Sequence, residues 1–148
     1  MRRATLADLD TIMELEREIF PDDAWTAELM SEGIVSPYAY YVVAEDSKTQ
    51  IVGYGGAYHL PGNDSADIHS IAVEKGSRGS GIGARLFDEL LAWCASDGAS
   101  RVLLEVRADN PVAQSLYSSR GFTTIAVREG YYQPAGVDAL VMERKVIS

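Results

Sequence analysis

The chain has 148 residues, 47% apolar and 24% charged, values that exclude a disordered chain and fit about one domain of roughly 100–200 residues. Thirteen basic residues against 22 acidic ones leave a net charge of −9, which excludes a general footprint for nucleic acid. A single cysteine excludes an internal disulfide, and without a charged leader or an 18-residue apolar run the sequence predicts a cytoplasmic location with no membrane partner.

Thr5 opens a helical pattern in which Leu9, Ile12, Leu15, Ile19 and Phe20 recur at three- and four-residue steps until Pro21. A second helix is predicted from Trp25 to Glu32, ended by Gly33. Extended segments follow at 38–45, 51–60 and 66–73, separated by polar turns, as in an antiparallel meander. A helix from Gly81 to Ser96 carries Ile82, Leu86, Phe87, Leu90, Leu91, Trp93 and Cys94 on one face, with Cys94 read as a small core residue. After a strand at 101–107, Asn110-Pro111 starts a short helix that Gly121 terminates, and two last strands are predicted at 122–128 and 137–146. With a strand at the amino terminus the order is β-α-α-β-β-β-α-β-α-β-β. This predicts one α/β (α+β mixed) domain over residues 1–148, a largely antiparallel mixed sheet of about seven strands flanked by four helices.

Arg78-Gly79-Ser80-Gly81-Ile82-Gly83-Ala84 follows the strand ending Ile71-Ala72-Val73 and opens the long helix. Glycines let main-chain N–H groups approach an anion, and a helix amino terminus supplies unpaired donors and partial positive charge. A pyrophosphate is the natural guest. Gly79, Gly81 and Ala84 also satisfy G-x-G-x-x-A, yet the residues from Glu74 to Arg78 separate the strand from Gly79, whereas a dinucleotide turn sets its first glycine directly off the strand. No G-x-x-x-x-G-K-[ST] is present, which excludes a P-loop.

Arg78-x-x-Gly81-x-Gly83 after Ala72-Val73, with Asn110 and Ala113-x-x-x-Tyr117-x-x-x-Gly121-Phe122 downstream, resembles the GCN5-related N-acetyltransferases over essentially the whole chain. Leu104-Glu105-Val106-Arg107-Ala108-Asp109-Asn110, Leu116-Tyr117-Ser118-Ser119-Arg120-Gly121-Phe122, and Tyr131-Tyr132 followed by Asp138-Ala139-Leu140-Val141-Met142 are similar to segments of the ribosomal-protein alanine N-acetyltransferases of the RimI type. Val137 stands where that type usually has an acidic residue. The resemblance implies that residues Gly79 to Ala84 hold the pyrophosphate of acetyl-coenzyme A. It also implies that Ile71, Ala72 and Val73 offer main-chain groups to the pantetheine arm and thioester, and that Asn110 holds that arm or caps its helix. It implies an acceptor groove between the segment 20–26 and the loop 131–138, with Trp25, Tyr131 and Tyr132 as its aromatic walls. The expected partners are acetyl-coenzyme A and the amino-terminal segment of a protein, a basic ribosomal protein above all.

An α-amine with a pKa near 8 must lose a proton before it attacks a thioester. Glu105, between Leu104 and Val106, reads equally as a base whose pKa partial desolvation raises or as a carboxylate paired with Arg107 or a cross-strand arginine; the resemblance of its L-E-V-R segment implies the base. A phenol in reach of the sulfur could protonate it as it departs; the resemblance implies that role for Tyr117, and filling core is the alternative. His59 and His69 lie ten residues apart without acidic or cysteine companions in register, so no metal is expected. Residues 1–46 hold eleven acids against three arginines, a solvated face or an attraction for a basic acceptor. A transferase for a lysine side chain or small amine, an acyl-coenzyme A sensor without activity, and a dinucleotide-binding protein remain as rivals.

Overall fold

Short polar turns fold the middle of the chain back on itself, and side-chain hydrogen bonds fix them: Asp46 Oδ1 accepts from the N–H groups of Lys48 (2.8 Å) and Gln50 (3.0 Å). Strands β2 (Ala39–Glu45), β3 (Ile51–Tyr58) and β4 (Ser65–Val73) therefore pair antiparallel. The computed structural model describes residues 1–21 and 24–146. With β1 (Arg2–Arg3), β5 (Arg101–Arg107), β6 (Thr123–Tyr132) and β7 (Val137–Lys145) they form one sheet of order β1-β2-β3-β4-β5-β7-β6. Helices α1 (Leu9–Ile19) and α2 (Ala27–Val35) cover one face; α3 (Ile82–Ser96) packs on the other, and α4 (Pro111–Ser119) joins it there through Ala113 and Tyr117.

Two cores follow. Leu86, Phe87, Leu90 and Cys94 of α3 meet Val42, Ile68, Val102, Leu104 and Val106; Ile12, Met13, Leu15, Met30 and Ile34 of α1 and α2 meet Tyr41, Val43, Tyr54 and Ala72. Cys94 is fully buried, as its apolar helix face predicts, and burial pushes its thiol up to about 12.

Several boundaries differ from the sequence expectation: α2 starts at Ala27 rather than Trp25 and β3 ends at Tyr58 rather than at residue 60, and three further differences carry structural meaning. A 3-10 turn at Leu6–Asp8 precedes α1, with Asp8 joined to Arg2 at 2.8 Å. Strand β6 runs on to Tyr132 rather than ending at Arg128. Helix α2 continues through Gly33 to Val35; Gly33 serves packing rather than termination, because a Cβ there would sit 2.9 Å from the Tyr41 ring. Gly56 on β3 makes the larger concession, since its Cβ would lie 2.2 Å from the same ring.

Strands β4 and β5 are the one parallel pair in this sheet, and they pair only over Ser65–Ile68 and Arg101–Leu104. Beyond Ile68 they part. A bulge lies beside the parting: Gly56 opposes Ser70 while Ala57 opposes Ile68, so His69 is the extra residue. Ile68 and Ile71 pack on the α3 side, whereas His69 bonds to Tyr41 and Ser70 to Glu16 on the α1–α2 side.

Candidate active site

The parting of β4 and β5 opens a cavity of about 740 Å³ that reaches both faces of the sheet. Leu104 and Val106 belong to the α3-side core, so Glu105 between them points to the opposite face. Tyr117 comes from the α3 side. The cavity is lined by Glu105, Tyr117, Asn110, Ile71, Trp25, Tyr131 and Tyr132, so seven of the residues singled out in the sequence meet in one place.

Asn110 caps α4, its Oδ1 accepting from the Ala113 N–H at 3.2 Å, which satisfies the helix end and leaves its amide NH₂ for the cavity. The Tyr117 ring lies 4.9 Å from that of Phe87 and 6.4 Å from that of Phe122, and burial pushes its phenol up to about 12. It holds its proton at any physiological pH.

Glu105 faces Arg128 of β6, with Nε to Oε1 at 3.2 Å, and keeps 29% side-chain exposure. The desolvation expected from Leu104 and Val106 has the wrong geometry, because both project away from it. Tyr131 donates to Glu105, which pushes the Tyr131 phenol up, and its ring lies 5.6 Å under the Arg128 guanidinium. Tyr132 meets Tyr131 edge-on at 5.1 Å and lies 5.3 Å from Arg107, while Arg107 itself bonds to Asp109 at 2.9 Å. A cation-π and ion-pair lattice thus props the β6 wall of the cavity.

The opposite wall contains residues the sequence did not single out as sites. Glu16 of α1, 1% exposed, accepts from the Tyr54 hydroxyl, from Ser70 Oγ at 3.1 Å and from the Trp25 N–H at 3.2 Å. It ties the start of α2 to the sheet and sets the Trp25 ring 5.0 Å from His69. Asp67 and His69 line the cavity too. Burial and the Glu105 charge push the Asp67 carboxyl up, and burial pushes the His69 imidazole down. Asp22 and Asp23, inside the expected acceptor segment, lie outside the described residues.

Arg78, Gly79, Ser80, Gly81, Ile82, Gly83 and Ala84 lie at the far end of β4, joined to the cavity by the strand edge from His69 to Val73 that no longer pairs with β5. Ala72 turns its side chain into the α1–α2 core. Gly79 and Gly81 have φ of +89° and +80°, and nothing stands within 4 Å of a Cβ built on either. Gly81 caps α3 without a side-chain bond, so the cap leaves the first N–H groups of the helix for another partner. Arg78 Nε donates to the Val73 carbonyl at 3.2 Å and Ser80 Oγ to that of Ser77 at 2.8 Å, which holds the loop in shape.

Residues 9–122 match the acetyltransferase (GNAT) family. The chain belongs to that family. It is 39% identical over 143 residues to the N-alpha-acetyltransferase RimI of Mycobacterium tuberculosis, covering 95% of this chain and 88% of that one. It is 35% identical to a Bacillus subtilis protein provisionally named [ribosomal protein bS18]-alanine N-acetyltransferase, covering 96% and 92%. A Mycobacterium leprae protein is 38% identical over 95% of this chain, which spans only 39% of that protein's length. The crystal structure of the ribosomal-protein-S18-alanine N-acetyltransferase from Escherichia coli superposes with a TM-score of 0.84 at 21% identity, covering 99% of this chain and 92% of that one.

The GNAT family uses acetyl-coenzyme A, and the residues present fit that molecule. The left-handed glycines and the uncapped start of α3 leave an open cradle of main-chain donors, as a pyrophosphate needs. The unpaired β4 edge offers main-chain groups to an extended amide-bearing arm. Among the described residues no group of three or more side chains is placed to hold a metal ion, and no helix is long and apolar enough to cross a membrane.

Proposed function

We propose that this acetyltransferase modifies the α-amine of a protein amino terminus, with an alanine-first ribosomal protein as its acceptor. The carrying observation is the opening through the sheet, with Glu105 entering from one face and Tyr117 from the other. A base and an acid so placed serve two reactants that approach from opposite sides. The names of the Mycobacterium tuberculosis and Bacillus subtilis relatives support the acceptor class.

Acetyl-coenzyme A supplies the thioester and its acyl carbon. Gly79 to Ala84 hold its pyrophosphate, Ile71 to Val73 and the Asn110 amide line its arm, and Trp25, Tyr131 and Tyr132 wall the acceptor. Glu105 takes a proton from the incoming ammonium at a carboxylate oxygen, directly or through one water. Tyr117 keeps a proton on its hydroxyl for the departing sulfur. Arg128 and Tyr131 hold the Glu105 carboxylate in place.

The test is thiol release with three peptides: free Ala-first, free Met-first, and Ala-first with the α-amine blocked and a lysine left free. Release with the free Ala-first peptide alone is expected, and Glu105→Gln should lower its rate by about 10²-fold or more. Release with the blocked peptide makes the enzyme a lysine or small-amine transferase; binding of acetyl-coenzyme A without transfer to any amine makes it a sensor.

A further inference from the structure

Three elements converge on one side chain that the mechanism above does not use. The Tyr41 ring lies in space left by Gly33 of α2 and Gly56 of β3, and its hydroxyl meets His69 Nδ1 at 3.2 Å. The His69 ring is stacked on Tyr58 (5.7 Å, 16°) and flanked by Trp25 (5.0 Å). It occupies the bulge where β4 leaves β5, and it lines the cavity.

The hydrogen bond fixes the tautomer. Tyr41 is 2% exposed, and a buried hydroxyl that donates to nothing carries a penalty. Nδ1 is its one partner among the described residues. Tyr41 therefore donates, Nδ1 accepts, and Nε2 carries the hydrogen of a neutral imidazole. Among the described residues no buried side-chain nitrogen or oxygen lacks a partner; Nε2, which has none there, is therefore open to the cavity that His69 lines. Burial, which disfavours the charged ring, acts in the same direction.

We propose that His69 is a positioning residue whose Nε2–H donates a hydrogen bond to a main-chain carbonyl of the first two acceptor residues. This rests on the reading of the acceptor as a protein amino terminus. A donor on the α1–α2 face needs an acceptor from the molecule entering on that face. Near the amine of an alanine-first chain the available acceptors are main-chain carbonyl oxygens, since alanine's side chain has none. Holding a carbonyl one or two residues from the amine fixes the direction in which the amine points at the β4–β5 opening, and it does so whatever the side chains beyond.

The test uses His69→Phe, which keeps a ring between Tyr58 and Trp25 and removes the donor, and His69→Gln, whose side-chain NH₂ restores one. With the free Ala-first peptide, His69→Phe should raise the peptide KM about tenfold, with kcat and the acetyl-coenzyme A KM unchanged. His69→Gln should recover part of that loss. Peptides with a thioamide at the first or second carbonyl accept more weakly; one of them should show a raised KM on the wild-type enzyme and no further rise on His69→Phe. An unchanged peptide KM in His69→Phe, or wild-type indifference to both thioamides, overturns the assignment while leaving the amino-terminal reading intact. Failure of the wild-type enzyme to acetylate any free α-amine overturns both.

Discussion

His59 shows how completely one side chain's partners determine its state. It is 2% exposed, with Nδ1 2.7 Å from Asp97 Oδ2 and Nε2 2.7 Å from the Asn63 carbonyl. A carboxylate and a carbonyl only accept, so both ring nitrogens must donate and the ring is a cation. The Asn63 carbonyl first, and Asp97 second, raise its pKa. The contact clips the turn between β3 and β4 to the end of α3. A raised folded pKa makes its contribution complete below the unfolded value of about 6.5 and removes it as pH climbs through the folded value. His69, pushed down by burial, contributes with the opposite sign over that window, so the informative measurement is a difference. Urea midpoints of wild type and His59→Gln should lie farthest apart at pH 6 and converge towards alkaline pH. A separation that grows with pH would mean that His59 is buried neutral.

At the scale of elements, the entrance to α3 separates what folding needs from what a cofactor needs. Gly81 at φ +80° has a conformation that costs another residue about 1–2 kcal/mol, so Gly81→Ala should lower the thermal midpoint. Gly83 is helical, and a Cβ there would touch Val73 Cγ2 at an ordinary 3.6 Å. For folding alone, Gly83→Ala should be stabilising by about 0.4–1 kcal/mol. If the loop cradles a pyrophosphate, however, the methyl is added on the same residue whose main-chain N–H, in the first turn of α3, is among the donors the anion would use. Gly83→Ala should therefore raise the thermal midpoint and raise the acetyl-coenzyme A KM together, with the peptide KM unchanged; a stabilised variant with unaltered cofactor KM removes the loop from the site. This entrance was legible in the chain because glycine spacing after a strand is a local signal, as was the Asn110-Pro111 start of α4; the face Glu105 takes was not read, because the expected desolvation ignored the alternation of side chains along β5. The α1–α2 wall was not legible. Strict alternation from Ala66 would send Ser70 and Ala72 towards α3 and Ile71 towards α1; the single extra residue at His69 reverses those assignments. Glu16 was hidden for a related reason, since in a helix rich in acids nothing local marks the one carboxylate that three donors from β3, β4 and the start of α2 will surround.

Across the whole molecule, charge is distributed unevenly enough to act on an approaching acceptor. Eleven of the 22 acidic residues fall within residues 1–46. The structure commits some of them internally: Asp8 to Arg2, which holds its carboxyl down at about 2, Glu45 to Arg2, and Glu16 to the cavity wall. Asp10, Glu14, Glu18, Glu28 and Glu32 remain exposed on α1 and α2, the layer on the face towards which Glu105 points, and Asp67 and Glu105 stand inside the opening. A basic peptide should be drawn towards that layer before any close contact forms. The screening length shrinks from about 10 Å at 0.1 M salt to about 3 Å at 1 M, so long-range attraction should vanish over this range while buried contacts persist. We expect kcat/KM for an Ala-first peptide rich in arginine and lysine to fall steeply with added salt, and that for an Ala-first peptide of neutral sequence to fall little. Reversing exposed charges with Glu14→Lys and Glu18→Lys, which touch neither cofactor loop nor cavity, should flatten the salt dependence for the basic peptide and leave the neutral one unaffected. Equal salt responses of the two peptides would show that the acidic layer is only a solvated surface and that acceptor choice is made entirely inside the β4–β5 opening.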